Sequence, residues 1–291
     1  MKILITGASG FVGASLCSRL IQEGHSIYGL SSQKLQEAPQ GFAGYYQQDL
    51  AKPFHLEDSF DIAIHLAAYN VTHVGDKSGD LYTSVNVQGT RHLLEALKAK
   101  RLIYLSTAKS YKNDGVALTE NSVLAPGNAY EVSKLQAEEL CQSLFKDEGL
   151  VIFRSVNIIG PGQALKAVLP VFFEKARQNQ SLDVFVPVDT VVQFVYVEDI
   201  VDAFVAVINN PKAQGIFNIA CEQTLTIDEL ARRVIALTHS SSNIHYRDGS
   251  LKGVFAPVIC KKAQDQLGWK AKTNIETVLK KYMESYAKSK I

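Results

Sequence analysis

Along the first half of the chain, short apolar runs alternate with stretches in which apolar residues recur every three to four positions. Residues 2–6 (Lys-Ile-Leu-Ile-Thr) are apolar and β-branched and read as a strand. Residues 14–23 carry Leu16, Leu20 and Ile21 on one helical face and are stopped by Gly24. The alternation continues with strands at 26–30, 61–66, 101–106 and 150–154, and helices at 90–99 (Leu93, Leu94, Leu97) and 130–145. Strands alternating with helices predict an α/β protein with a mostly parallel, doubly wound sheet.

After Asn157 the pattern loosens. Gly160-Pro161-Gly162 breaks the chain, a helix is expected at 164–178, and a Val/Pro-rich stretch covers 182–192. Residues 194–197 and 215–219 read as strands returning to the large sheet. Thr226 and Glu229 form a capping box that opens a helix with Ile227, Leu230, Ala231, Val234 and Ile235 on one face. The C-terminal part, including Leu267-Gly268-Trp269, is too short for an independent domain and reads as a small α+β lobe over the sheet edge. The expected division is therefore 1–156 with a returning segment near 190–220, against a lobe of 157–189 and 221–291.

Composition narrows the function classes. A chain of 291 residues with 46% hydrophobic and 20% charged positions is an ordinary soluble globular protein of one large or two moderate domains. A net charge of +1 gives no electrostatic case for nucleic acid or a membrane surface. The four cysteines (Cys17, Cys141, Cys221, Cys260) are scattered, which predicts reduced thiols in a cytoplasmic protein and no zinc site or other metal. The chain enters a strand at once, without a cleavable leader, and no apolar run is long enough to span a bilayer.

Candidate chemistry sits at the strand ends. Gly7, Gly10 and Gly13 are spaced GxxGxxG, directly after a strand and opening a helix. Glycine permits a tight turn and close approach to a pyrophosphate, and the helix N-terminus adds free N–H groups. Phe11 and Val12 belong to the same turn. Tyr130 and Lys134 stand four apart on a helix that Asn128 can cap and Glu131 can close as a capping box, so they share a face. An ammonium beside a phenol favours the phenolate, which makes the pair a proton donor and acceptor for a carbinol/carbonyl couple. The same spacing recurs at Tyr286 and Lys290 in a polar tail, so spacing alone does not make a catalytic pair. Ser106-Thr107 ends a strand at the carboxyl edge, where a hydroxyl can bind the oxygen that Tyr130 protonates, or simply satisfy local backbone. Asp49-Leu50 is placed to meet an adenine edge. Leu66-Ala67-Ala68 supplies small residues at a strand end, and Asn86 opens a helix or only caps it.

Together these residues resemble the extended short-chain dehydrogenase/reductase superfamily, in its nucleotide-sugar epimerase/dehydratase branch, over nearly the whole chain. The resemblance rests on Thr6-Gly7-Ala8-Ser9-Gly10-Phe11-Val12-Gly13, Asp49-Leu50, His65-Leu66-Ala67-Ala68 and Asn86-Val87-Gln88-Gly89-Thr90. It continues through Leu105-Ser106-Thr107, Tyr130 with Lys134, Arg154-Ser155-Val156-Asn157, Gly160-Pro161-Gly162 and Phe194-Val195-Tyr196-Val197-Glu198-Asp199. It implies a Rossmann-type NAD(P)-binding domain, lined also by Val156, and a substrate lobe. Thr107 is then expected to bind the reacting oxygen, Tyr130 to act as acid/base, and Lys134 to hold the nicotinamide ribose and depress the tyrosine pKa. Asn157 is expected to face a nucleotide sugar. A homodimer through the helices 90–99 and 130–145 is expected on the same ground.

Three positions depart from the family pattern. The second strand ends in Ser31-Ser32, with Lys34 close by, where NAD users carry an Asp; a hydroxyl and an amine favour NADP(H), with NAD(H) as the other cofactor. Ala108-Lys109 replaces the acidic pair of the 4,6-dehydratases, which speaks against elimination of water. Val192 replaces an Arg that clamps the substrate diphosphate, leaving Lys166, Arg247 and Lys252 as candidate cations. The leading expectation is NADPH-dependent reduction of a 4-keto nucleotide sugar. A nucleotide-sugar 4-epimerase retaining NAD, and a non-catalytic NADP-binding regulator, are the alternatives.

Overall fold

The computed structural model describes residues 1–34, 38–70, 79–145, 149–163, 167–186, 191–248 and 256–288. In chain order the first half holds β1 (Lys2–Thr6), α1 (Phe11–Gln22), β2 (Ser26–Ser31), β3 (Gly44–Gln47), β4 (Phe60–His65), a single turn α2 (Gly79–Leu81), a π-helical stretch (Tyr82–Gln88), α3 (Gly89–Ala96), β5 (Ala99–Thr107), a 3₁₀ turn (Ala108–Ser110), α4 (Ala129–Leu144) and β6 (Leu150–Ser155). The second half holds β7 (Asn157–Ile159), α5 (Val168–Arg177), β8 (Leu182–Val186), β9 (Val191–Tyr196), α6 (Val197–Ile208), β10 (Gly215–Ile219), β11 (Thr224–Thr226), α7 (Ile227–Leu237), β12 (Ile244–Asp248), α8 (Lys261–Leu267) and α9 (Ile275–Lys288).

The large sheet has seven parallel strands in the order β10-β6-β5-β4-β1-β2-β3. Side chains on a strand alternate between faces. Ile3 and Ile5 of β1 therefore pack with Leu16 and Leu20 of α1 and Phe204 of α6, while Leu4 packs with Leu93 of α3 and Ala137 and Cys141 of α4. This two-sided burial is why the strands read as unbroken apolar runs. The order reverses between β1 and β4, and in such sheets ligands sit at the carboxyl edge beside that switch point.

A second core lies apart from the sheet, built by α5, α7, α9, β8 and β9 around Phe172, Phe173, Leu230, Val234 and Tyr282. Strand β9 departs from expectation: it pairs with β7 and β11 in a three-stranded sheet instead of joining the large one, which only β10 re-enters. An apolar run shows that a strand is buried, but not which partner covers it. The helix expected from 164 is described from Val168. Lys166, Lys252 and Lys290 lie outside the described residues. The capping box at Thr226 and Glu229 is present in both directions. Asn128 caps α4 by accepting from the Glu131 N–H, but the Glu131 carboxylate returns to the Gly127 N–H and the Asn128 side chain, one residue earlier than a capping box.

Candidate active site

The glycine turn leaves β1 through Gly7, whose φ of +69° is the left-handed conformation that glycine adopts without strain. A Cβ there would stand 2.9 Å from the Ala67 backbone nitrogen, and one on Gly13 would stand 2.1 Å from the Gly7 carbonyl oxygen. The turn is therefore a backbone-only cradle pressed between α1 and the end of β4. No side chain caps α1 at Gly10, so its first N–H groups remain for an anion. Phe11 and Val12 are half-buried in the first turn of α1. These features fit the pyrophosphate of a dinucleotide. Leu66, Ala67 and Ala68 line the opposite wall, with Ala67 N–H donating to Thr6 Oγ1 at 3.2 Å.

Around this cradle the polar groups are saturated. Thr90 has one hydroxyl proton and donates it to the Asn86 carbonyl at 2.6 Å, so it accepts from His65 Nε2 at 2.9 Å. His65 Nδ1 then accepts from Thr6 at 2.7 Å. Burial, aided by the charge of Lys134, pushes the pKa of His65 down to about 3, so it is a neutral structural imidazole. Asn86 caps no helix. It lies in the π-helical stretch, accepts from the Tyr69 N–H at 2.7 Å, and donates to the Tyr69 carbonyl at 3.0 Å and to Ser133 Oγ at 2.9 Å. A π-turn of this kind often marks a functional site. Asp49 is exposed and turns back on the Ala51 N–H, whereas Leu50 is buried beneath Gly89.

At the far end of β2, Ser31 is buried and already engaged. Its hydroxyl bonds Ser9 Oγ at 2.9 Å and accepts from the Gln33 N–H at 3.0 Å. Ser32 and Lys34 are exposed beside it.

Helix α4 brings Tyr130 and Lys134 over the ends of β5 and β6. The Tyr130 phenol lies near the Thr107 hydroxyl, which accepts from the Lys109 N–H at 3.2 Å. Thr107, Tyr130 and Lys134 thus come together as expected, but the electrostatics differ. The Lys134 ammonium donates to the Leu105 carbonyl at 2.7 Å and sits 4.2 Å from the Tyr104 ring centroid. Burial lowers its pKa to about 8, while Glu138 pulls in the opposite direction. The expected depression of the Tyr130 pKa by Lys134 is absent. Burial, then the neighbouring Glu131 charge, pushes the phenol up to about 12, against which the Thr107 hydroxyl acts alone.

The sequence reading missed the group beneath this pair. Glu138, fully buried, accepts from the Ser106 hydroxyl and forms a bidentate pair with Arg154, whose Nε reaches Oε1 at 3.2 Å and whose Nη2 reaches Oε2 at 2.6 Å. Arg154 donates on to the Tyr111 hydroxyl at 3.2 Å, and Tyr111 donates to Asn218 Oδ1 on β10 at 2.7 Å. A single charge inside the otherwise apolar strand β6 was the available signal, because a buried cation needs a buried partner. Removing one member of such a pair typically costs about 3–5 kcal/mol, since the other charge stays buried.

The substrate-side residues are dispersed. Asn157 is exposed on β7, and Val156 is half-buried with its N–H on the Ile219 carbonyl at 3.1 Å. Val192 packs against the second core. Its neighbour Gln193 fastens residues 221 and 258 through backbone contacts of 2.5 to 3.2 Å. Arg247 is paired with Asp183 at 2.9 Å, and none of its contacts among the described residues reaches Thr107 or Tyr130. Among the described residues, no cluster of His, Cys, Asp and Glu could hold a metal ion, and no helix is long and apolar enough to cross a membrane.

Comparison with known proteins places this arrangement. The chain is 29% identical over 271 residues to the dTDP-D-glucose 4,6-dehydratase of Dictyostelium discoideum, covering 81% of this chain and 62% of that one. The chain spans about half to three fifths of the length of the curated relatives it first matches. Among solved structures, the UDP-glucose 4-epimerase of Thermotoga maritima has the same fold, with a TM-score of 0.85 at 22% identity over 100% of both chains. The UDP-glucuronic acid 4-epimerase of Bacillus cereus, solved with UDP-glucuronic acid and NAD, gives 0.86 at 22% identity over 99% of this chain and 100% of the other. A model of the NAD dependent epimerase/dehydratase family matches residues 3–220, and the chain belongs to that family, within the extended short-chain dehydrogenase/reductase superfamily.

Proposed function

We propose that this protein is an NAD-dependent 4-epimerase of a nucleotide-activated sugar. The observation that carries the reading is the placement of Tyr130 near Thr107 at the carboxyl edge of the sheet, with Lys134 buried on the same helix face as Tyr130. Thr107 holds the hydroxyl of the reacting carbon. Tyr130 takes the proton from that oxygen and later returns it. Lys134 and the glycine cradle at Gly7, Gly10 and Gly13 hold the dinucleotide, which when bound supplies the hydride acceptor and donor. Asn157 faces the sugar nucleotide. Ala108-Lys109 after Thr107 offers no acid/base pair for elimination, so dehydration is not part of the reading although dehydratases are among the relatives.

NAD(H) is the cofactor of this reading. The hydroxyl of Ser31, which would otherwise suit a 2′-phosphate, is bonded to Ser9 and the Gln33 N–H. The second reading, NADPH-dependent reduction of a 4-keto nucleotide sugar, is favoured by the absence of a carboxylate at the end of β2 and by exposed Lys34 nearby. Mass spectrometry of the ligand retained through purification separates them. An epimerase retains NAD and interconverts UDP- or dTDP-hexose epimers without added cofactor. Bleaching of added NADPH by a 4-keto sugar nucleotide, with no retained NAD, establishes the reductase instead.

A further inference from the structure

The sheet-facing side of α4 carries one charge that the chemistry above leaves unused. Glu138 lies one turn beyond Lys134 and two beyond Tyr130, on the same face of the helix. Its carboxylate accepts from Ser106, the residue before Thr107 on β5, and from Arg154, which stands opposite Ser106 on β6. One carboxylate therefore fastens the helix bearing Tyr130 to the two strands whose ends form the site. Arg154 extends the same network through Tyr111 to Asn218 on β10. We infer that Glu138 is a positioning residue: it fixes α4 against β5 and β6 and keeps Lys134 charged beside the site. The inference rests on the reading of Lys134 as a working cation.

The groups that face Lys134 support this. On β5 they are the Leu105 carbonyl and the ring of Tyr104, on β4 the neutral His65, and on α4 Tyr130, Cys141 and Glu138. Arg154, on β6, is the countercharge of Glu138. Burial favours the neutral amine of Lys134, and of its neighbours Glu138 acts most strongly against it. A lysine that works as a cation fails as pH rises through its pKa, about 8 here. Removing the Glu138 charge lowers that pKa, so the failure moves to lower pH.

The test uses protein carrying ¹³C at the lysine ε-carbons, with the Lys134 signal identified by its loss in Lys134→Arg. In Glu138→Gln the Lys134 titration midpoint is expected to fall by about one pH unit, and the alkaline limb of sugar-nucleotide turnover to fall with it. Glu138→Asp keeps a carboxylate but withdraws it by one methylene from Lys134 and Arg154, so its midpoint is expected to fall by less and to lie between wild type and Glu138→Gln. Reduced kcat with an unmoved midpoint in Glu138→Gln assigns a purely structural role and overturns the inference. If Glu138→Gln does not fold, Glu138→Asp is read alone, and an unmoved midpoint there overturns it equally. Absence of turnover in wild type refutes the functional reading; the midpoints, measured without substrate, still decide whether Glu138 holds the charge of Lys134.

Discussion

At Tyr130 two forces act on one phenol. Burial raises its pKa to about 12, and the nearby Thr107 hydroxyl lowers it by less. The residue is therefore protonated in the ligand-free protein at neutral pH and must lose that proton before it can take one from the sugar hydroxyl. Ultraviolet difference titration of wild type against Tyr130→Phe checks this: the phenolate of Tyr130 is expected to appear only above the ordinary range near pH 10. The linkage has a definite sign. A folded pKa above the unfolded one contributes stability that is complete below about pH 10 and is lost as pH rises through about 12. Tyr130→Phe is expected to cut turnover by about 10²–10⁴-fold while dinucleotide affinity stays within a few-fold, measured by steady-state rates and cofactor titration. That Tyr130 and Lys134 share a face of α4 could be read from their spacing. The target of the lysine could not, because the Leu105 carbonyl and the Tyr104 ring reach it from a strand about thirty residues away, a distance that helical periodicity does not encode.

Among the elements, strand β1 and the turn after it were the most legible. The apolar run, the glycine spacing and the amphipathic helix all point to one structure. Gly13→Ala tests the turn, since its new Cβ meets the Gly7 carbonyl, which is backbone and cannot swing aside. Dinucleotide affinity is expected to fall at least about ten-fold, equivalent to about 1.4 kcal/mol, in a direct binding measurement. Strand β9 was the least legible. Its run Val-Val-Gln-Phe-Val-Tyr fits burial in either sheet, and what selects the smaller one is pairing with β7 and β11 together with the ties from Gln193. Arg154 belongs to the family motif Arg154-Ser155-Val156-Asn157, and its placement inside β6 by itself requires a buried carboxylate such as Glu138.

For the whole molecule, the second core gathers Phe172, Phe173, Leu230 and Tyr282, whereas Val258, Ala263 and Trp269, expected in the lobe, pack with the first core, and β9 serves both, with Val195 in the first and Phe194 and Tyr196 in the second. Three of the four cysteines are buried, and all four are unbridged. Helices α3 and α4 pack on one face of the sheet, and α4 keeps Val132 and Leu144 exposed on its outer side. A second copy of the chain covers such a face in the homodimer we expect. Multi-angle light scattering at micromolar concentration should give twice the chain mass of 32.0 kDa, and Leu144→Glu should return it to the monomer.

The Asn86 clamp has a consequence for the timing of order. Tyr69, four residues past β4, Asn86 in the π-helical stretch and Ser133 on α4 are joined by one chain of bonds, and Ser133 donates on to the Tyr130 carbonyl at 2.7 Å. Segments some sixty residues apart are thus locked to one another before any ligand arrives. Freezing those rotations is an entropic cost met once, as the chain folds. The encounter with substrate then begins from a preorganised phenol, and its ordering takes nothing from the affinity of the bound molecule.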